Sequence, residues 1–225
     1  KNSDPQGKDL YVIFKCGDDL RQDQLTLQII RIMERKWERE GLDLRLSPYG
    51  CVSTGDELGF IEVVLNSDTT ANITKKYAGG AGGAFSKEPM KLFLQENNPE
   101  KKNFDEAVET FLLSLAGYCV ATYLLGVGDR HNDNLMIRSS GALFHIDFGF
   151  ILGRDPKPYP PPFRLTREMA EAMGYPDGAN WTEFRTKCCQ AYCCLRRHAP
   201  LLLNLMSLMK DAGVEHLSED ASQKF

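Results

Sequence analysis

The chain has 225 residues, 42% hydrophobic and 26% charged, proportions ordinary for a soluble globular protein with one large domain or two small lobes. A formal charge of −4 gives no overall attraction to nucleic acid or anionic lipid, so no nucleic-acid partner is expected and any basic site must be local. Seven cysteines without a secretory leader point to a reducing compartment, and no apolar run approaches the ~18–20 residues that cross a bilayer, Leu201–Met209 being short and interrupted.

In chain order, a polar stretch, Lys1 to Asp9, precedes Leu10–Lys15, a β-branched and aromatic run that predicts a strand. Gly17, Asp18 and Asp19 break it, the two aspartates reading as capping or solvated. From about Asp19 to Glu40, Leu20, Leu25, Leu27, Ile29, Ile30, Ile32, Met33 and Trp37 recur at helical spacing, with Gly41 as a stop. Short strands are predicted at about 43–47, 50–54 and 59–66, with turns at Pro48–Gly50 and Ser53–Asp56. Gly79–Ala84 reads as a flexible linker between a mostly β lobe and a mostly helical one, since no G-K-[ST] follows it. Asn103 or Asp105 is placed to cap a helix over about 104–125, whose few charges predict a position at the centre of its lobe. Two apolar runs, Leu135–Arg138 and Leu143–Ile146, flank a Ser/Gly-rich turn and predict a hairpin. Residues 150–164 are proline-rich and irregular, helices follow at about 166–173 and 181–197, and Pro200 breaks or restarts the last one, which runs to about Met209. Cys188, Cys189, Cys193 and Cys194 lack C-x-x-C spacing and read as buried or half-buried thiols on a helix.

The chemistry concentrates in Gly128–Asn134 and Phe144–Phe150. Asp129 stands five positions before Asn134, the D-x-x-x-x-N spacing of a kinase catalytic loop, and Asp147-Phe148-Gly149 matches the metal-holding element of the same machinery. The hairpin between the two blocks returns the chain to where it started, so Asn134 and Asp147 should end side by side as oxygen ligands suited to Mg²⁺. His131 is the more natural proton acceptor near neutral pH, whereas Asp129 has the spacing of the base; both stand as candidates. Arg130 offers a planar cation to a phosphate or to a structural carboxylate. His145 shares a strand face with Asp147 and is either an orienting neighbour of the metal or a packed core histidine.

The order Asp-Arg-His inverts the His-Arg-Asp of protein kinases. With His145–Gly149 downstream, it resembles the phosphatidylinositol 3-/4-kinase superfamily. Val12–Asp23, Pro48–Cys51, Ile61–Val64 and Ala116–Tyr123 follow in that family's order, so the resemblance extends from about residue 10 to about residue 210 and is strongest to the phosphatidylinositol 3-kinases. It implies an α+β, bilobal protein-kinase-like fold. A small, β-rich and incomplete N-lobe would occupy 1–66, with a hinge near 61–66. A larger, mostly helical C-lobe would occupy 67–225, with the catalytic loop at 128–134, the metal motif and activation loop at 147–164, and truncated C-terminal helices. It implies ATP and Mg²⁺ (or Mn²⁺). On the same basis Lys15 contacts the ATP α-phosphate, Asp23 helps hold Lys15 and Tyr49, and the backbones of Glu62 and Val64 read the adenine edge. Met136 and Ile146 floor the adenine pocket, and Asn134 and Asp147 hold the metal. The family's phosphate-covering loop and membrane-facing helices would lie in a longer parent chain, so this segment alone is expected to be weak or inactive.

In the resembled family the segment after Asp-Phe-Gly meets the lipid headgroup. Each phosphate on inositol adds roughly 1.5 to 2 negative charges, yet Arg154 and Lys157 are the only cations there before Arg164, and Asp155 offsets one. Plain phosphatidylinositol is favoured, and Gly153–Pro162 resembles the class III loop, whose family product is phosphatidylinositol 3-phosphate. Phe150 stands where class I enzymes carry histidine. Pro48–Asp56 and Ile61–Val64 instead look like class I and II enzymes, so phosphorylated phosphoinositides stand as the alternative acceptors, followed by a related Ser/Thr protein kinase and an inactive binding module. By analogy the resemblance implies a helical-repeat regulatory subunit and a cytoplasmic protein peripheral on endosomal or autophagic membranes.

Overall fold

The computed structural model describes residues 7, 9–78 and 88–209, so the glycine-rich segment 79–84 lies outside it. β1 (Val12–Cys16) and β2 (Cys51–Gly55) both pair antiparallel with β3 (Leu58–Glu62), giving the order β1-β3-β2 and setting Lys15 opposite Gly59. Between β1 and β2 runs α1 (Arg21–Arg39), which opens where Asp19 accepts the Arg21 N–H at 3.0 Å. Its buried stripe includes Leu27, Ile30, Met33 and Trp37, and Gly41, at φ 75°, follows its end.

The strand expected at 43–47 does not form. Leu44 and Leu46 alternate as a strand would, but they pack onto Gly117, where a Cβ would stand 2.4 Å from Leu46 Cδ1. Among the described residues no strand lies alongside to complete a ladder, and Arg45 sits at φ 48°, outside the β region. β3 likewise ends at Glu62, short of the expected 66.

A second sheet, ordered β4-β5-β6, joins β4 (Ser67–Thr69), β5 (Leu135–Arg138) and β6 (Leu143–His145). Sequence patterning predicts neither β4 nor the two helices α2 (Thr70–Ala78) and α3 (Pro89–Asn97). The central helix α4 (Lys101–Leu124) starts earlier than expected, at a Glu100 cap with no side-chain cap bond. Neither Asn103 nor Asp105 caps it; Asn103 donates instead to Glu100 at 3.4 Å. By length and composition α4 could cross a membrane, contrary to the sequence reading, but 78% of its apolar window is buried inside the protein, as in a core helix. α5 (Arg167–Ala172) is capped by Thr166, which accepts the Met169 N–H at 3.3 Å, and α6 (Ala179–Arg197) and α7 (Ala199–Met209) follow. Pro200 falls in the first turn of α7, where its missing N–H costs no helical bond.

One apolar core runs through both halves of this bilobal α+β fold. Ile30, Met33 and Trp37 of α1 join Phe111 and Leu115 of α4, Phe144 of β6 and Leu195 of α6. The Trp37 indole N–H donates to the Ala191 carbonyl at 3.0 Å, tying α1 to α6.

Candidate active site

The β5–β6 hairpin sets Leu135 opposite His145, and at its open end the Ile146 N–H donates to the Asn134 carbonyl at 3.1 Å. Asn134 and Asp147 therefore leave adjoining strands side by side. Buried Asn134 donates its amide N–H to the Asp129 carbonyl at 3.0 Å, which fixes the amide and leaves Oδ1 as the ligand oxygen. Asp147 is exposed, and its Oδ1 accepts the Gly149 N–H at 3.2 Å. Both Asp129, at φ 50°, and Asp147, at φ 61°, occupy the left-handed region, which costs a non-glycine residue energy and recurs where chemistry needs a carboxylate aimed.

Arg130 is 5% exposed, and its guanidinium grips backbone. Nε donates to the Gly128 carbonyl at 2.7 Å, one terminal nitrogen to the Ile146 carbonyl at 2.8 Å and the other to the Asp147 carbonyl. The bonds offered at sequence level, to a phosphate or a carboxylate, are replaced by bonds that lock the catalytic loop to the metal motif. Burial lowers its pKa from the ordinary value, while the Asp147, Asp129 and Asp23 carboxylates oppose that shift.

His131 Nδ1 accepts the Asp133 N–H at 3.2 Å, so the neutral ring carries its proton on Nε2, which lies 3.8 Å from Asp129 Oδ2. His145 stacks face to face on Tyr118 with centroids 5.0 Å apart. Burial holds its pKa well below the ordinary value, so it is a neutral core histidine.

Within the chain the nucleotide-side candidates bond to near neighbours and to the metal motif. Lys15 pairs with Asp18 at 2.7 Å, and that bond raises its pKa. Asp23 accepts the Phe148 N–H at 2.9 Å, and burial raises its carboxyl above the usual range. Its hydrogen bond is to the metal motif, and it interacts electrostatically with both Lys15 and Tyr49. Adjacent Gln22, which sequence reasoning missed, donates to the Phe148 carbonyl at 2.6 Å. A polar residue in the buried stripe of α1 was the available signal. Tyr49 is buried, its phenol pKa pushed up, and its carbonyl accepts from Arg31 at 2.6 Å. Glu62 accepts the Gly50 N–H at 2.7 Å, and the Val64 carbonyl accepts from Ser67 at 2.6 Å. Met136 and Ile146 are half-buried against the core beside the open end of the hairpin.

The segment after Asp-Phe-Gly lies backbone to backbone along Leu125–Gly128. Leu152 and Gly153 donate to the Leu125 and Gly126 carbonyls at 2.8 and 2.9 Å, and Gly128 donates to the Phe150 carbonyl at 2.8 Å. A Cβ on Gly128 would stand 2.0 Å from the Arg154 carbonyl oxygen, so only glycine permits this approach. Asp155 accepts the N–H groups of both Asp129 and Lys157 at 2.7 Å, an anchoring role beyond the charge offset read from sequence. Arg154 is half-buried, Lys157 is exposed, and Arg164 donates to Asn132 at 3.0 Å.

Asn134 Oδ1 and the exposed Asp147 carboxylate, with Asp129 and Asp23 close by, form an oxygen-rich donor set that fits Mg²⁺ or Mn²⁺. A D-x-x-x-x-N loop facing an Asp-Phe-Gly turn, joined through α1 to a small antiparallel sheet, is the layout of a kinase catalytic domain. The chain belongs to the phosphatidylinositol 3- and 4-kinase family, whose model matches residues 9–218. It is 50% identical to phosphatidylinositol 3-kinase 1 of Dictyostelium discoideum over 96% of this chain and 14% of that one. Identity is 44% to the human phosphatidylinositol 4-phosphate 3-kinase C2 domain-containing subunit beta, over 100% of this chain and 14% of that one. It is also 44% to the root isoform of phosphatidylinositol 3-kinase from Glycine max, over 93% and 25%. The chain thus spans a quarter or less of the length of these relatives.

Proposed function

We propose that the protein containing this chain transfers the γ-phosphoryl group of ATP to the 3-hydroxyl of phosphatidylinositol, releasing ADP and phosphatidylinositol 3-phosphate. The observation that carries the choice of lipid is the loop at 153–164. Its cations are sparse, and the Asp155 carboxylate, which accepts the Asp129 N–H, adds negative charge to the same segment, which disfavours a phosphorylated headgroup.

Phosphoryl transfer is mostly positioning and charge neutralisation. A divalent cation, when bound, supplies neutralisation of the triphosphate. Asn134 and Asp147 would hold it, Arg130 keeps their two loops in register, and Lys15 would turn from Asp18 to a nucleotide phosphate. As the inositol oxygen bonds to phosphorus and the bond to ADP breaks, the hydroxyl proton passes to the Asp129–His131 pair. With the His131 proton on Nε2, the lone pairs available are those of the Asp129 carboxylate, and the imidazole stabilises the charge beside them.

The test is radiolabelled phosphate transfer by the full-length protein with Mg²⁺ or Mn²⁺. The acceptors are vesicles of phosphatidylinositol, its 4-phosphate and its 4,5-bisphosphate, plus a generic protein. Label confined to phosphatidylinositol and lost in Asp147→Ala is expected. Strong label on the phosphorylated lipids would favour the second reading, supported by Pro48–Asp56, Ile61–Val64 and the human relative, whose name gives phosphatidylinositol 4-phosphate. The proposed lipid and the family likeness extend the reading to peripheral attachment at endosomal or autophagic membranes and to a helical-repeat regulatory subunit. Fractionation and affinity purification of the full-length protein check both.

A further inference from the structure

The two ends of α1 face different surroundings. Its start holds the metal motif through Gln22 and Asp23, and its other end, roughly 27 Å away along the helix axis, brings together three donors of different chemistry. An oxygen of Glu40, the sulfur of Cys194 and a ring nitrogen of His198 lie within 4.8 Å of one another. Cys194 and His198 stand four residues apart at the end of α6, the spacing that puts two side chains on one helical face. Glu40, the cap residue of α1, meets them from across the interface.

His198 Nε2 is 3.2 Å from Glu40 Oε1, while Arg197 holds Oε2. A carboxylate oriented by a second partner in this way is characteristic of metal ligands. Cys194 is 2% exposed, with Sγ 3.8 Å from the Lys36 carbonyl. Sulfur, imidazole nitrogen and one carboxylate oxygen suit zinc, whereas Mg²⁺ and Ca²⁺ select oxygen alone.

We propose that Glu40, Cys194 and His198 bind a zinc ion that staples the end of α1 to the end of α6. On binding, the Cys194 thiol releases its proton to solvent as the sulfur–zinc bond forms. Neutral His198 Nε2 and Glu40 Oε1 supply the other two protein ligands, and water takes the fourth position. Thiolate and carboxylate together neutralise the ion, so Arg197 keeps its place on Oε2. The cysteine pairs considered from sequence alone omit His198 and Glu40, because the site exists only where α1 meets α6. This inference is independent of which lipid the protein phosphorylates.

The test is titration of the chelator-treated full-length protein with Co²⁺, in excess Mg²⁺ to occupy the oxygen ligands at Asn134 and Asp147. The expected result is one equivalent of Co²⁺ with a thiolate-to-metal charge-transfer band and intense four-coordinate d–d bands, displaced by Zn²⁺. Cys194→Ser should remove the charge-transfer band, and His198→Gln should weaken binding by at least about tenfold. Arg197→Ala should weaken it by roughly ten- to a hundredfold through the loosened carboxylate. Absence of the band in the unmodified protein overturns the proposal, as does a band of unchanged affinity in His198→Gln. Should Cys194→Ser fail to fold, His198→Gln at the partly exposed end of α6 decides the matter alone.

Discussion

Asp23 and Gln22, neighbours on α1, hold respectively the N–H and the C=O of one residue, Phe148, and so set the residue that follows Asp147. Gln22→Leu strands the Phe148 carbonyl in a buried setting. It should cost about 1–3 kcal/mol in urea unfolding and lower kcat more than it raises the KM for ATP. Arg130→Lys keeps the charge but loses the planar fork to three carbonyls, and roughly a tenfold or greater fall in kcat is expected from the lost charge-assisted bonds. Ordinary KM for ATP in that variant would confirm a positioning role; a large rise in KM with kcat intact would place Arg130 on the nucleotide instead. The thiols give a third readout. Burial pushes Cys51 up to about 11 and Cys188 up to about 12, and raises Cys119 well above its ordinary value. Cys189 and Cys193, expected from the sequence to be buried or half-buried, face outward from α6. Iodoacetamide at about pH 8 should therefore mark them and exposed Cys16 first and leave Cys51, Cys188 and Cys119 to react far more slowly, which mass spectrometry reads directly.

Among the elements, the β5–β6 hairpin depends on one glycine. Gly141 sits at φ 95°, and a Cβ there would stand 2.0 Å from the Ala107 carbonyl oxygen of α4. Gly141→Ala should destabilise the fold by about 2–4 kcal/mol, measured by denaturant unfolding, although the turn is remote from Asp147. This hairpin was legible in the sequence because two apolar runs bracket a Ser/Gly turn, a local signal that tertiary packing had no reason to override. Leu44 and Leu46 misled, since alternation says which side chains face the core but not whether a strand lies beside them. β4 escaped notice because three residues, Ser67–Thr69, are too few and too polar to show any period. That Asn134 and Asp147 lie side by side could be read from the two motifs and the hairpin between them. The roles of Gln22, Arg130 and Asp155 could not, because each acts through main-chain groups of residues distant in sequence.

At the scale of the whole molecule, α1 belongs to both halves: it leaves the first sheet, touches the metal motif at its start and packs on α4 and α6 along its length. Helix and lobe should open together, so hydrogen exchange in the full-length protein is expected to show α1, α4 and α6 amides protected as one cooperative unit. Independent early exchange of α1 would mean that the Trp37 contact is incidental. The attachment between the catalytic loop and the segment after Asp-Phe-Gly has a consequence for descent. It runs through the Phe150 carbonyl, the Leu152 and Gly153 N–H groups, the small size of Gly128 and the single carboxylate of Asp155. Main-chain groups are untouched by mutation, so the run from Pro156 to Pro162 is open to rewriting generation after generation. A lineage that retains Gly128 and Asp155 keeps the catalytic loop fastened to this segment while the side chains between Pro156 and Pro162 vary.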